Sequence, residues 1–178
     1  MSEGKHAGHL VRLVRNRLGA HVVESGTAHA DGDRFVVARE RLLELVAFLR
    51  RDKDGDLSLL VDITAVDRGD AVEPRFEVHI QLRSARLGYR AHIVTHAAED
   101  ATIPSLTSLF PAAEALEREL YEMLGVYPDG HPQLRPLMLY AGFAGHPLRK
   151  DYRADKQQPL VAMLDVDEKQ PVIIEDAP

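Results

Sequence analysis

The sequence contains no cysteine and no tryptophan. The first absence excludes disulfides, thiolate zinc sites, cysteine-ligated iron–sulfur clusters and a cysteine nucleophile. The second, with an aromatic content of 6%, argues against a platform for stacking nucleic-acid bases. Positive charge is not in excess either: the net charge is −6, the wrong sign for a general nucleic-acid binder. No apolar run approaches the roughly 18 residues of a membrane span. The start, MSEGKHAGHLVRLVRNRLGA, lacks an apolar signal block and a cleavage site. The chain is therefore expected to stay in the cytoplasm and to meet a membrane only through a partner. There is no Gly-X-Ser-X-Gly elbow, and no glycine-rich loop joins a strand to a helix, so nucleophilic hydrolysis and nucleotide binding lack their usual supports.

What is present suits an ordinary globular protein. The 178 residues, 45% of them apolar, suggest one domain or a domain with an extension. Leu10, Leu13, Val14 and Leu18 predict a helix over 7–18, ended by Gly19. HVVES (21–25) reads as a short strand, and DGDRFVVA (31–38) as a turn followed by a strand. The clearest helix spans 39–52, where Leu42, Leu43, Leu45, Val46 and Leu49 form a wide apolar face. Three strands follow at 57–67, 75–84 and 89–97. In the second, Phe76, Val78, Ile80 and Leu82 alternate with Glu77, His79, Gln81 and Arg83, which leaves one face buried and one polar. SARLG suits a hairpin connection. A further helix is expected over 111–125, with Pro111 in its first turn, Gly125 at its stop, and Glu114, Arg118 and Glu122 on a charged face. The order α-β-β-α-β-β-β-α predicts an α+β fold in which helices pack on a largely antiparallel sheet.

After Gly125 the periodicity fades. Seven of the ten prolines lie in 125–178, and regular patterns return only at PLVAMLDV (159–166) and PVIIED (171–176). The division expected is a globular domain over 1–125 and a proline-rich extended segment over 126–178, ordered against something else. The latter holds two Gly-His-Pro triplets fifteen residues apart, at 130–132 and 145–147.

Three chemistries compete for these residues. His131 and His146, with Asp129 or Asp151, offer imidazole and carboxylate ligands, and a metal-dependent hydrolase using His131, His146 and Asp151 is one reading; neither histidine belongs to an i, i+4 helical pair. Otherwise each histidine sits in a Gly-X-Pro turn, fixed in direction and able to hydrogen-bond a carbonyl or carboxylate. Glu117, Glu119 and Glu122 lie on one helix, but 117 and 119 point about 200° apart and cannot share a proton. Arg118 is expected to neutralise Glu114 or Glu122 on a solvated or partner-facing helix. His79, His92 and His96 read as residues of a polar sheet face. There remain Arg135, Arg149 and Lys150, suited to pairing with carboxylates, and Tyr152, an aromatic anchor. A proline-stiffened segment loses less entropy on docking, which favours a binding protein over an enzyme.

Glu117-Arg118-Glu119, Gly130-His131-Pro132 followed by Arg135, and Gly145-His146-Pro147-Leu148-Arg149-Lys150-Asp151-Tyr152 occur in the order seen in a known family. LVDITAVD (60–67), RFEVHIQLRS (75–84) and PSLTSLFPAAEALERE extend the match to roughly residues 40–155. The chain resembles the thirty-kilodalton (C) subunit of bacterial NADH–quinone oxidoreductase, respiratory complex I. It departs from the pattern at Phe110, where a tryptophan is usual, at Glu114-Ala115 in place of Asn-Trp, at Leu124 in place of Phe, and in LMLYAGFA (137–144), where the family is acidic. The resemblance implies a non-catalytic peripheral-arm subunit on the cytoplasmic side of the plasma membrane, itself binding no cofactor. NADH, FMN, iron–sulfur clusters and quinone would belong to other subunits of the complex. It implies docking on the quinone-site (D) subunit and contact with other peripheral-arm subunits. The signature residues would be interface groups, so that Arg149→Ala or Lys150→Ala weakens docking without unfolding the chain. The corresponding subunit of a proton-pumping hydrogenase or formate hydrogenlyase shares these motifs. An isolated chain is expected to be able to self-associate through its tail.

Overall fold

A computed structural model of the chain describes residues 8–29, 32–99, 101–140, 142–156 and 158. The patterns read at 159–166 and 171–176 lie outside these residues. Helix α1 (His9–Leu13) runs into a π-helical stretch, Val14–Leu18. Strands β1 (Ser25–Thr27) and β2 (Asp33–Val36) precede helix α2 (Leu42–Arg51), which is entered through a 3₁₀ turn at Arg39–Arg41. Strands β3 (Leu59–Asp67), β4 (Phe76–Arg83) and β5 (Arg90–Ala97) follow. Strand β6 (Thr102–Pro104), helix α3 (Ala113–Leu124) and strand β7 (Tyr127–Asp129) complete the described elements.

The architecture is α+β, with a five-stranded sheet in the order β1-β2-β5-β4-β3. It is antiparallel except where β2 pairs in parallel with β5. The alternation in β4 does what its period dictates: Phe76, Val78, Ile80 and Leu82 are buried. They meet Leu42, Leu45, Val46 and Leu49, which recur on one stripe of α2, and Leu10, Val14, Leu120 and Leu124 from the other helices. The β4–β5 hairpin closes through Ser84 N–H to Tyr89 C=O at 2.9 Å.

One local expectation is corrected. HVVES does not form a strand over 21–25: Ala20–Val22 is a 3₁₀ turn that buries Val22, and the strand begins at Ser25. Asp33, at the start of β2, is buried and caps α1 from outside the helix, its carboxylate accepting Gly8 N–H at 2.7 Å and Val11 N–H at 3.0 Å. A short parallel pair, β6 with β7, has no counterpart among the predicted elements; it flanks α3 and ties the chain after Gly125 back to the segment before the helix.

Candidate functional site

Helix α3 is the centre of the signature region, and three of its charged residues, Glu117, Arg118 and Glu122, are buried. Glu117 is fully buried. Its Oε1 accepts Leu106 N–H at 2.6 Å and its Oε2 accepts the Ser105 hydroxyl at 2.7 Å. Burial pushes this carboxyl above the ordinary glutamate range, against the lowering effect of those hydrogen bonds. Arg118 donates from Nε to the Arg135 carbonyl at 2.9 Å and from Nη2 to the Pro136 carbonyl at 2.7 Å. Glu122 accepts the amides of Leu137, Met138 and Leu139 at 3.2, 2.8 and 2.8 Å. Of the two partners expected from the sequence, Arg118 pairs with Glu114, at 3.4 Å, while Glu122 is committed to backbone. Nor is the helix a solvated charged face: Glu117, Arg118 and Glu122 are buried, while Glu119 points out to solvent.

The two Gly-His-Pro turns are fastened to the same helix. The His131 Nδ1 accepts Gln133 N–H at 3.1 Å, so its Nε2 carries the proton and donates to the Glu114 carbonyl at 3.0 Å. The His146 Nδ1 donates to the Glu122 carbonyl at 3.0 Å, and the ring meets Tyr121 edge-on. Gly125, just past α3, has φ +76°, and a Cβ there would collide with Arg149 and His146.

The second turn leads into an ion network whose other half is not apparent in the sequence. Arg75 is 2% exposed and grips Asp67 with two parallel bonds of 3.0 Å, from Nε and Nη2. It also reaches Asp151 at 2.7 Å and Glu99 at 3.1 Å. Arg149 bonds Glu99 at 2.8 Å and donates from Nε to the Leu124 carbonyl at 2.6 Å. Both guanidinium groups lie over the Phe76 ring, at 5.3 and 5.4 Å. Asp67 further accepts Lys150 N–H at 2.8 Å and Gly69 N–H at 2.9 Å. Hydrogen bonding to Arg75 holds both Asp67 and Asp151 below the usual carboxylate range. An arginine beside an alternating strand reads in sequence as a solvated end. Only the fold, which brings Asp67, Glu99 and Asp151 around it, makes Arg75 an interior group.

Of the signature residues, Glu117, Arg118, His131, His146 and Arg149 thus engage this chain's own backbone, and Asp151 pairs with the Arg75 guanidinium. Glu119, Pro132, Arg135 and Lys150 have exposed side chains, and Pro147 and Tyr152 are half-buried, with Tyr152 stacked on Phe143. His131, His146 and Asp151 are not gathered into a ligand set: among the described residues no group of three or more histidine, aspartate or glutamate side chains is placed to hold a metal ion. On the sheet, His79 Nδ1 lies 2.8 Å from His92 Nε2, the rings stack, and burial lowers the His79 pKa. The arrangement is a braced corner. Its buried polar groups hold the segments on both sides of α3: Glu117 the one before it, Arg118 and Glu122 the one after, which Arg75 and Asp67 fasten to the β3–β4 end of the sheet.

Comparison with known proteins agrees with the motifs. The family described as respiratory-chain NADH dehydrogenase, 30 Kd subunit, matches residues 35–158. The chain belongs to this family. The C-type subunit of NADH-quinone oxidoreductase from Bartonella bacilliformis is 36% identical over 144 residues, covering 80% of this chain and 69% of the relative. Its Brucella ovis counterpart of the same name is 39% identical over 145 residues, covering 82% and 71%. Among solved structures, the trypsin-resistant fragment (1–134) of Nqo5 is similar at 28% identity with a TM-score of 0.56, covering 70% of this chain and 99% of that one. A chain of the membrane-bound sulfane sulfur reductase, an archaeal respiratory membrane complex, is similar in fold, with 23% identity and a TM-score of 0.67, covering 82% and 85%. The family match covers strands β3, β4 and β5 as well as the braced corner.

Proposed function

We propose that this chain is a peripheral-arm subunit of a proton-translocating NADH–quinone oxidoreductase, without catalytic residues or a redox centre of its own, which docks on the quinone-site subunit through the segment after α3. The complex it serves carries electrons from NADH to quinone through cofactors on other subunits, and the chain meets the cytoplasmic side of the membrane through that complex. The observation that carries this reading is a division of labour at the corner. Glu117, Arg118, His131, His146 and Arg149 are consumed inside the chain, while Leu137, Met138, Tyr140 and Leu148 remain 43, 56, 38 and 62% exposed. Large apolar side chains left outside in one segment mark an interaction surface. Docking would then be apolar at its centre, with Arg135 and Lys150 as rim cations. Arg149, braced internally, acts on folding as well as on docking, so Arg149→Ala does not separate the two.

The test is purification of the tagged chain from native membranes and identification of the bound chains. The quinone-site subunit and its peripheral-arm neighbours are expected. The double variant Met138→Asp, Leu148→Asp should unfold at the same temperature as the unaltered chain yet lose the quinone-site subunit, each site weakening docking by about 2 kcal/mol, roughly thirtyfold. An intact complex with the double variant would overturn the docking surface. NADH oxidation by the purified chain alone would overturn the non-catalytic role. Hydrogenase-type partners in place of NADH-oxidising ones would assign the chain to the sister assembly.

A further inference from the structure

Strand β4 runs from Phe76, against the Arg75 network, to Arg83 at its far end. At that far end the sheet carries a cavity of about 480 Å3 lined by His29, Arg34, Val61, Arg83, Arg90 and His92, with no carboxylate among its described lining residues. Arg83 and Arg90 stand directly opposite each other in the β4–β5 ladder, both exposed. Neither side chain makes an ion pair or hydrogen bond among the described residues; of the three arginines only Arg34 has a carboxylate, Glu77, at 3.4 Å. Like charges directly across a ladder are destabilising, and nothing in the described part of the chain relieves this pair. Unrelieved local cost of this kind is the mark of a surface kept for something other than stability. Beside the arginines the same face is apolar: Leu59, the cross-strand partner of Arg83, is 46% exposed and Val61 is 54% exposed.

We propose that this cavity is a second docking site, which receives an acidic segment of another subunit of the respiratory complex. One carboxylate sits between the Arg83 and Arg90 guanidinium groups, whose fork geometry suits it, and the apolar side chains flanking that carboxylate cover Leu59 and Val61. A lone inorganic anion would satisfy the arginines and leave Leu59 and Val61 in water; a peptide satisfies both. The site lies at the other end of β4 from the corner proposed to dock on the quinone-site subunit. It rests on the chain's family and not on the docking of the tail, and variants at 138 and 148 leave it untouched.

The experiment uses Arg90→Glu in the full chain. The substitution sets opposite charges across the ladder, so the isolated protein should melt at the same temperature or higher. In the complex it turns the cavity against an acidic guest. Retention of the neighbouring subunit through a salt wash that the unaltered complex survives should fall roughly tenfold, while Arg90→Lys retains it. A photo-crosslinking residue in place of the exposed Gln81 should join the chain, in the native complex, to a peptide of another subunit that contains aspartate or glutamate. A lowered melting temperature for Arg90→Glu would remove the premise of an unrelieved charge pair and the proposal with it. Unchanged retention, crosslinking only to lipid or to peptides without carboxylates, or no crosslink at all would each overturn it.

Discussion

At the scale of single residues, the decisive fact is that buried charge in this chain is spoken for. Glu117 is the sharpest case, because burial raises its pKa while two hydrogen bonds hold it in place. A carboxyl whose pKa is raised on folding binds its proton more tightly in the folded state. Its charged form therefore costs stability above the unfolded value of about 4.3, and that cost is relieved as pH falls from above the folded pKa towards the unfolded one. Glu117→Gln should fold, and its denaturant-unfolding free energy should lack this relief: as pH falls from neutrality towards about 4.3 the unaltered protein gains stability relative to the variant. Glu117→Ala, which orphans the buried Leu106 amide, should cost about 1–3 kcal/mol at either pH. A difference between Glu117→Gln and the unaltered chain that does not move with pH would count against a carboxyl whose pKa is raised by burial. From the sequence these carboxylates fall on one helix with their directions apart, but they read as solvated. A charged residue in an amphipathic pattern carries no sign of which partner will desolvate it, and the partners, Leu106 and 137–139, are backbone amides that any sequence possesses.

Among elements, those with a strong period are legible in the sequence and those set by distant pairing are not. Helices α2 and α3 and the strands β3, β4 and β5 lie where their 3.6- and 2-residue repeats put them, to within a few residues at their ends. The parallel register of β2 on β5 and the β6–β7 pair join residues far apart in the chain, and no local pattern announces them. Val22 and Val23 favour a strand by type, yet packing Val22 into the core in a 3₁₀ turn outweighs that propensity. The stop of α3 is readable, but its importance is not. Gly125 holds a left-handed conformation and leaves room for Arg149 and His146 where a Cβ would stand. Gly125→Ala should therefore cost more than the roughly 1–2 kcal/mol of the backbone conformation alone. Thermal unfolding of the single variant checks this; a loss below about 1 kcal/mol would mean that the corner does not pack against the helix end.

For the molecule as a whole, the proline-rich segment reads in sequence as ordered against something else, and over residues 126–156 it is braced on its own domain. The bracing leaves no periodic trace, because α3 side chains hold the segment by its backbone: Arg118 by two carbonyls, Glu122 by three amides. Such bonds fix a path without requiring particular side chains along it, and they free Leu137, Met138 and Leu148 to face outward. On the proposed function the protein would then present a preorganised surface, lowering the entropy cost of docking compared with a segment that orders only on its partner. Amide hydrogen exchange in the isolated full-length chain tests this preorganisation without any partner present. The Leu137, Met138 and Leu139 amides should already be protected there, by about a hundredfold or more over an unstructured peptide. Exchange at the unstructured rate in the free chain, with protection arising only in the assembled complex, would contradict it.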